Sequence, residues 1–221
     1  MSVRTVSELS RVVREDLAFR RKEILAHVRL VANVEASGKQ PALRGAVAVL
    51  YAHWEGFVKF ALQQYVSFVR QQGAKHRELT DCFIAMAAKK QIEILVASKR
   101  PRLQIDFVTW LTAEWDKRAH LPKESIIDAR SNLNVEVFQD LVCQVGLPYR
   151  NEYSVAEKPV IQRLVDLRND LAHGKWKQVD EAEWNDQLHP RVRDMLELLC
   201  VDVENSATQK GYLRASPVIL S

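Results

Sequence analysis

The sequence predicts an all-α fold, an antiparallel helical bundle around one hydrophobic core. Apolar residues recur every three or four positions through most of the chain, which is the spacing of one face of an α-helix. The 221 residues contain only seven glycines and seven prolines, which leaves room for long helices. The hydrophobic content of 47% and the charged content of 27% are typical of a globular protein with one sizeable core. We therefore expect a single domain over residues 1–213 and a frayed tail over residues 214–221.

Two long helices are predicted in the first third of the chain. Residues 5–35 form an amphipathic helix with basic residues on its polar faces, and Gly38 and Pro41 break it. Residues 41–72 carry large apolar side chains at helical spacing, so we expect this second helix at the centre of the core. Gly73 ends it.

One carboxylate, Glu55, lies within the apolar run of the second helix. A buried carboxylate requires a partner, and Arg168 is a candidate for that role. The alternative is that Glu55 lies at the surface beside a buried Trp54.

The middle of the chain is predicted to be less regular. A third helix is expected over residues 81–99, ending in a basic turn over residues 99–102. Residues 103–133 suggest a short helix or a packed excursion, with a break at Pro122. We interpret them as a less regular helical insertion that covers the bundle.

Three further elements follow this insertion. Asn132 or Asn134 caps a helix that ends before Pro148. Residues 149–155 are expected to form a loop, and residues 156–173 to form the next helix. The last helix starts near Asp180, and its apolar stripe consists of Trp184, Leu188, Val192, Leu196, Leu199 and Val203.

The helix over residues 156–173 ends in an unusual polar cluster. At about 100° per residue, Asn169 and His173 project together away from the core-facing stripe, and Arg168 lies on the flank between that stripe and the opposite side. Gly174 supplies a residue that can turn left-handed and stop the helix. The apolar stripe of this helix consists of Val160, Leu164, Leu167 and Leu171.

These residue types suit an anion site with a proton donor or acceptor. The arginine fork matches a phosphate, and a histidine exchanges a proton near neutral pH. The negative end of the helix dipole at Gly174 favours a charged imidazolium at His173. A capped helix end with ordinary polar residues is the alternative.

The stretch from Arg168 to Gly174, spelled RNDLAHG, resembles the R-x4-H motif of the HEPN superfamily, with the usual asparagine after the arginine. Residues 50–58, spelled LYAHWEGFV, are similar to the early helix of a bacterial branch of HEPN-like nucleases. The segment from Trp184 to Tyr212 is similar to the final helix of that branch. The resemblance therefore covers most of the chain.

This resemblance implies a HEPN-like bundle acting as a metal-independent RNA endonuclease, a toxin or phage-defence effector. Arg168 would hold the scissile phosphate, His173 would move the proton, and Asn169 would orient the histidine or the phosphate. Glu55 and Asp170 are supporting candidates. The attacking group would be the 2′-hydroxyl of the RNA. The family also implies a homodimer with a composite site, and a cognate antitoxin or a defence-complex protein as partner. The alternative is a catalytically silent HEPN bundle that binds a nucleotide or a partner protein.

Basic and aromatic residues next to the motif are candidates for RNA contact. Lys175, Trp176 and Lys177 follow the histidine directly, and an exposed tryptophan there would stack on a base. Packing of Trp176 on the bundle is the other interpretation, and the one we favour. Residues 180–204 carry a net charge of −6 and the chain as a whole +4, so the remainder carries +10. This distribution predicts either a basic face or a set of solvated helix faces.

Metal, cofactor and membrane functions have no support in the sequence. Cys82, Cys143 and Cys200 form no CxxC pair, and each lies among apolar residues, so we expect buried free thiols in a reducing cytoplasm. The six histidines are scattered, which indicates no metal site and no cofactor. The first residues lack the apolar run of a signal peptide, and no segment is apolar enough to span a membrane.

Overall fold

The computed structural model describes residues 3–98, 100–122, 127–129 and 132–215, without the side chains of residues 154–158. Across these ranges the regular elements are helical and no β-strand occurs, so the predicted all-α fold is confirmed. Two further segments, Glu157–Ile161 and Trp184–Leu188, are π-helical. The helices are α1 (Val6–Asn33), α2 (Ala36–Gln72), α3 (Asp81–Ala87), α4 (Lys89–Val96), α5 (Pro101–Glu114), α6 (Val135–Gln144), α7 (Asn151–Ala156), α8 (Gln162–Ala172), α9 (Glu181–Glu183) and α10 (His189–Thr208).

The core lies between α1, α2 and α10, which pack against one another, while α8 packs on α2. The apolar stripe predicted for the second helix is buried, and so is the stripe predicted for the last helix. Both predictions are confirmed because residues three or four apart share one helical face. The buried stripe of α2 comprises Leu43, Val47, Leu50, Trp54, Phe57, Ala61, Tyr65 and Phe68.

The predicted start of α2 was wrong by five residues. The helix begins at Ala36, and Pro41 lies inside it. Proline removes one backbone donor, which leaves the carbonyl of Ser37 without its helical partner. Ser37 is exposed, so water can satisfy that carbonyl. At the other end Gly73 has φ +71°, the left-handed conformation expected of a glycine that ends a helix.

The predicted helix over residues 81–99 is divided at Ala88 into α3 and α4, and Lys99 lies outside the described residues. The prediction for residues 103–133 was also wrong in part. α5 is a regular helix, and neither it nor α4 contains a buried residue. The hairpin of α4 and α5 therefore covers little of the bundle, although the half-buried Trp110 of α5 packs edge-to-face on the buried His76 ring. The hairpin instead exposes four large apolar side chains: Ile94, Val96, Ile105 and Val108.

The part of the insertion that does pack on the bundle lies further along the chain. Ile127, Ala129 and Leu133 are buried. The indole of Trp54 donates to the Leu133 carbonyl at 3.4 Å, which joins this segment to α2. Residues 123–126 and 130–131 of the insertion lie outside the described residues.

The loop predicted over residues 149–155 is helical from Asn151 onward. Asp202 of α10 is 1% exposed and accepts from Arg150 Nε at 2.6 Å and from the Tyr153 hydroxyl at 2.7 Å. These bonds fix the start of α7 against α10. The predicted cap at Asn134 is confirmed, because its side chain accepts a backbone hydrogen bond at the start of α6. The Asp180 side chain caps the start of α9 in the same way.

Several terminal and cysteine predictions need correction. Arg214 was placed in a frayed tail, but its amide donates to the Glu78 carbonyl and its Nε to the Leu79 carbonyl. Residues 216–221 of that tail lie outside the described residues. Of the three free thiols expected to be buried, Cys200 is buried, Cys82 is half-buried and Cys143 is exposed. Among the described helices, none has the length and apolar character needed to cross a membrane.

Candidate functional site

The end of α8 is a Schellman motif that fixes the position of the histidine. His173 is the last residue before Gly174, whose φ of +67° reverses the chain as predicted. The Gly174 amide donates to the Leu171 carbonyl at 3.1 Å, and the Lys175 amide donates to the Asp170 carbonyl at 2.9 Å. The last carbonyls of α8 thus have partners, and His173 is held at an exposed helix end.

Arg168 is half-buried on the flank of α8 that faces α2. Its guanidinium carbon lies 4.5 Å from the centre of the Tyr51 ring, which is cation–π geometry. Its Nη1 donates to Asn169 Oδ1 at 2.9 Å, so the two neighbouring motif residues contact each other. The arginine is therefore positioned by α2 as well as by its own helix.

Tyr51 is in turn fixed by the irregular segment that precedes α6. The amide of Leu133 donates to the Tyr51 hydroxyl at 2.8 Å, and the ring is 3% exposed. Burial raises the pKa of Tyr51 to about 12, and the nearby Glu55 carboxylate adds to the rise. The phenol is therefore neutral near pH 7, and its ring is a rigid platform beneath the guanidinium.

A groove of about 620 Å³ runs between α2 and α8 in front of Arg168. We call it the α2–α8 groove. Its floor and walls are mainly apolar and small, and four polar side chains face it. The apolar lining is Ala48, Ala52, Gly56, Leu171 and Ala172, and the polar lining is Tyr51, Glu55, Lys59 and Arg168.

Glu55 lies in this groove with a side chain that is only 18% exposed. The prediction that it needs a partner is confirmed, because the Lys59 ammonium lies 3.5 Å from its carboxylate. The candidate partner Arg168 lines the same groove. Trp54 is buried, and Glu55 is half-buried beside it, between a core residue and the surface residue of the alternative.

The structure does not bring His173 into the same groove. His173 is exposed and is absent from the groove lining, whereas Arg168 contributes to it. Five residues along an α-helix correspond to a rotation of about 140° between the two side chains. One copy of the chain therefore presents the arginine and the histidine of the R-x4-H sequence on different sides of α8.

The residues after the motif form a small charged cluster around Asp170. Its carboxylate accepts from Lys175 Nζ at 3.0 Å and lies 3.6 Å from Lys177 Nζ. The hydrogen bond from Lys175 is the main reason that the pKa of Asp170 is lowered. Trp176, between the two lysines, is 79% exposed. Our favoured interpretation that it packs on the bundle was therefore wrong.

Tyr51 and Lys59 line the groove, and neither was predicted from the sequence to have a role. A signal was present, because Tyr51, Glu55 and Lys59 recur every four residues and so share one face of α2. A row of polar side chains beside the buried stripe of α2 indicates a helix face that borders a groove and is not packed against another helix. Across the ranges that the structure describes, no group of three or more His, Cys, Asp or Glu side chains is arranged to hold a metal ion.

The fold and the end of α8 together define a class of protein. An all-α bundle that presents R-x4-H at the C-terminal end of a helix, with asparagine after the arginine, is typical of HEPN domains. The chain belongs to the HEPN superfamily, in the HEPN_MAE_28990-like HEPN family, whose model matches residues 9–212. No curated protein and no solved structure matches the chain.

Proposed function

We propose that this protein is a metal-independent RNA endonuclease that cleaves through attack by the 2′-hydroxyl. The observation that carries this proposal is the position of Arg168. Its guanidinium is held over the Tyr51 ring at the mouth of the α2–α8 groove. A pre-positioned arginine at the edge of an apolar groove suits a phosphodiester and the negative charge that develops on it.

The chemistry needs one proton removed and one proton delivered. The 2′-oxygen attacks the phosphorus and loses its proton, while the bond to the 5′-oxygen breaks and that oxygen gains a proton. Because the ribose already holds the 2′-hydroxyl beside the phosphorus, no activated water is required. His173 is the proton-transfer group, and Asn169 positions the guanidinium through its 2.9 Å contact.

A second copy of the chain completes this site in our proposal. His173 is exposed and points away from the groove of its own chain. An isologous contact between two α8 ends places each histidine near the motif of the other copy. The exposed Trp176 and its neighbouring lysines then border the RNA path, where the indole can stack on a base.

The end chemistry of the products tests this function. Purified protein should cleave single-stranded RNA in excess EDTA and leave DNA and 2′-deoxy-substituted RNA intact. Mass spectrometry should find 2′,3′-cyclic phosphates and 5′-hydroxyls. The variants Arg168→Gln and His173→Gln should each lose cleavage by about a hundredfold or more. Arg11→Gln, which removes one exposed positive charge of α1 outside the groove, is the control that retains cleavage. Products with 5′-phosphates and free 3′-hydroxyls that disappear in EDTA would contradict the mechanism.

A second candidate function is supported by one specific observation. The groove contains Arg168 but not His173, so a single copy offers an anion-binding groove without a proton-transfer group. This arrangement suits a silent HEPN bundle that binds a nucleotide. Thermal stabilisation by nucleotides that depends on Arg168 but not on His173, in a protein without cleavage activity, would favour this function.

The cellular role that follows from the first proposal is that of a toxin or phage-defence effector. A ribonuclease of this kind damages its own host unless a partner restrains it. We therefore propose a cognate antitoxin or a defence-complex protein as a regulatory partner. Co-expression with the product of an adjacent gene should restore growth if that product is the antitoxin.

A further inference from the structure

The α2 wall of the groove combines two features that the cleavage chemistry does not use. Ala48, Ala52 and Gly56 recur every four residues and give the wall a smooth surface of small side chains. Glu55 and Lys59 add a carboxylate and an ammonium next to it, 3.5 Å apart. A flat apolar surface beside a paired acceptor and donor has the form of a site for a planar polar ring.

The Glu55 carboxylate has capacity for additional hydrogen bonds. An ionised carboxylate offers about four acceptor positions. Its contact with Lys59 is 3.5 Å, longer than the 2.7–2.9 Å that is usual for a charge-assisted hydrogen bond. With 18% of its side chain exposed, Glu55 is largely shielded from water while its carboxylate borders the groove. Donors from a ligand would therefore compensate a desolvation cost that the protein has already incurred.

We propose that the α2–α8 groove is a guanine subsite, in which Glu55 and Lys59 bind the Watson–Crick edge of the base that flanks the scissile phosphate. Glu55 accepts hydrogen bonds from N1–H and from the exocyclic N2 amine, and Lys59 donates to O6. The proposal rests on the proposed ribonuclease function for the identity of the substrate, and it makes the groove the source of base preference.

Guanine is favoured because it satisfies both side chains completely. It presents two adjacent N–H donors to one carboxylate and a carbonyl acceptor to the ammonium. Adenine and cytosine each offer this pair one amino group and one ring nitrogen, and uracil offers one N–H and one carbonyl. In those complexes one carboxylate oxygen remains without a donor, and a shielded acceptor without a partner is costly.

The arrangement along the groove agrees with a nucleotide that spans it. Arg168, the proposed phosphate ligand, and Glu55 line the same groove. Tyr51 lines it too, with its ring under the guanidinium, and it lies four residues before Glu55 on the same face of α2. The groove volume of about 620 Å³ leaves space for a purine and its ribose.

The first experiment measures cleavage of short single-stranded RNAs that differ at one position, carrying guanosine, inosine, adenosine, cytidine or uridine. Inosine lacks only the N2 amine of guanosine. We expect kcat/KM for guanosine to exceed that for adenosine by about ten- to a hundredfold, with inosine between them. Glu55→Gln should abolish the preference, and Lys59→Ala should reduce it. Glu15→Gln is the matched control, because Glu15 forms an exposed i,i+4 ion pair with Arg11 outside the groove.

The second experiment separates this proposal from the cleavage function. Calorimetric titration with GMP, inosine monophosphate, AMP, CMP and UMP tests the subsite without any reaction. Cleavage without base preference would overturn the subsite and leave the nuclease function intact. Absence of cleavage, combined with GMP binding that Glu55→Gln weakens at least tenfold, would support the subsite and overturn the nuclease. Neither cleavage nor selective GMP binding would overturn both.

Discussion

Two substitutions at Tyr51 distinguish the role of its aromatic ring beneath Arg168 from the role of its hydroxyl. In Tyr51→Phe the ring stays under the guanidinium, but the hydroxyl that accepts from the Leu133 amide at 2.8 Å is lost. In Tyr51→Leu the ring is lost as well. The two variants share the same loss of hydroxyl, so their difference isolates the contribution of the aromatic face to positioning Arg168.

The expected magnitudes follow from these contacts. Both variants leave the buried Leu133 amide without a partner, which should cost about 1–3 kcal/mol of unfolding free energy. Loss of the ring removes a cation–π contact worth about 0.5–2 kcal/mol. If that contact holds Arg168 in its phosphate-binding position, Tyr51→Leu should be about 2- to 30-fold less active than Tyr51→Phe.

Urea unfolding followed by circular dichroism gives the stabilities, and RNA cleavage under conditions where both variants are fully folded gives the activities. Equal kcat/KM for the two variants would refute the idea that the Tyr51 ring positions Arg168. A large activity loss already in Tyr51→Phe would place the effect in the hydroxyl instead.

Three further predictions concern assembly, toxicity and stability. The protein should be a homodimer, and light scattering that gives the monomer mass of 25.4 kDa at micromolar concentration with activity intact would contradict the composite site. Expression alone should arrest growth, and Arg168→Ala or His173→Ala should relieve the arrest without unfolding; folded variants that remain fully toxic would refute the site. Asp202→Ala should lower the unfolding free energy by about 3 kcal/mol, because it leaves a buried cluster without its acceptor. Asp194 is exposed on the same helix, so Asp194→Ala should change the unfolding free energy by less than about 0.5 kcal/mol. Equal losses of unfolding free energy for the two variants in urea titrations would contradict a stabilising role for the Asp202 cluster.

The sequence predicted the parts of the fold that depend on neighbours along the chain. The stripes of α2 and α10 and the end of α8 at Gly174 follow from helical spacing and from the conformational freedom of glycine. The cap at Asn134 is equally local, since a short polar side chain reaches an amide three residues ahead.

Features fixed by contacts between distant segments were not predicted. The helix that begins at Asn151 has polar residues typical of a loop, and its anchor is Asp202, about fifty positions away. The start of α2 before Pro41 was missed because proline usually marks a helix boundary, and an exposed carbonyl made the exception possible.

The candidate site was predicted in its residue types but not in its geometry. The prediction placed Arg168, Asn169 and His173 in one polar cluster, whereas only Arg168 lines the groove, and helical spacing gave no indication that Tyr51 lies beneath the guanidinium. That contact joins α2 to α8 and depends on the way the two helices cross. The exposure of Trp176 was likewise outside the reach of local patterns, because the Schellman turn directs the chain away from the bundle.

The exposed hairpin of α4 and α5 should unfold locally before the rest of the bundle does. Because neither helix contributes a buried side chain, separating them from the bundle exposes little new apolar surface. Their amide protons should therefore exchange with solvent through local opening, while those in the middle of α2 exchange only when the whole bundle unfolds. A protease should accordingly cut first within residues 89–114, and the nicked protein should keep its α2, α8 and α10 helices together.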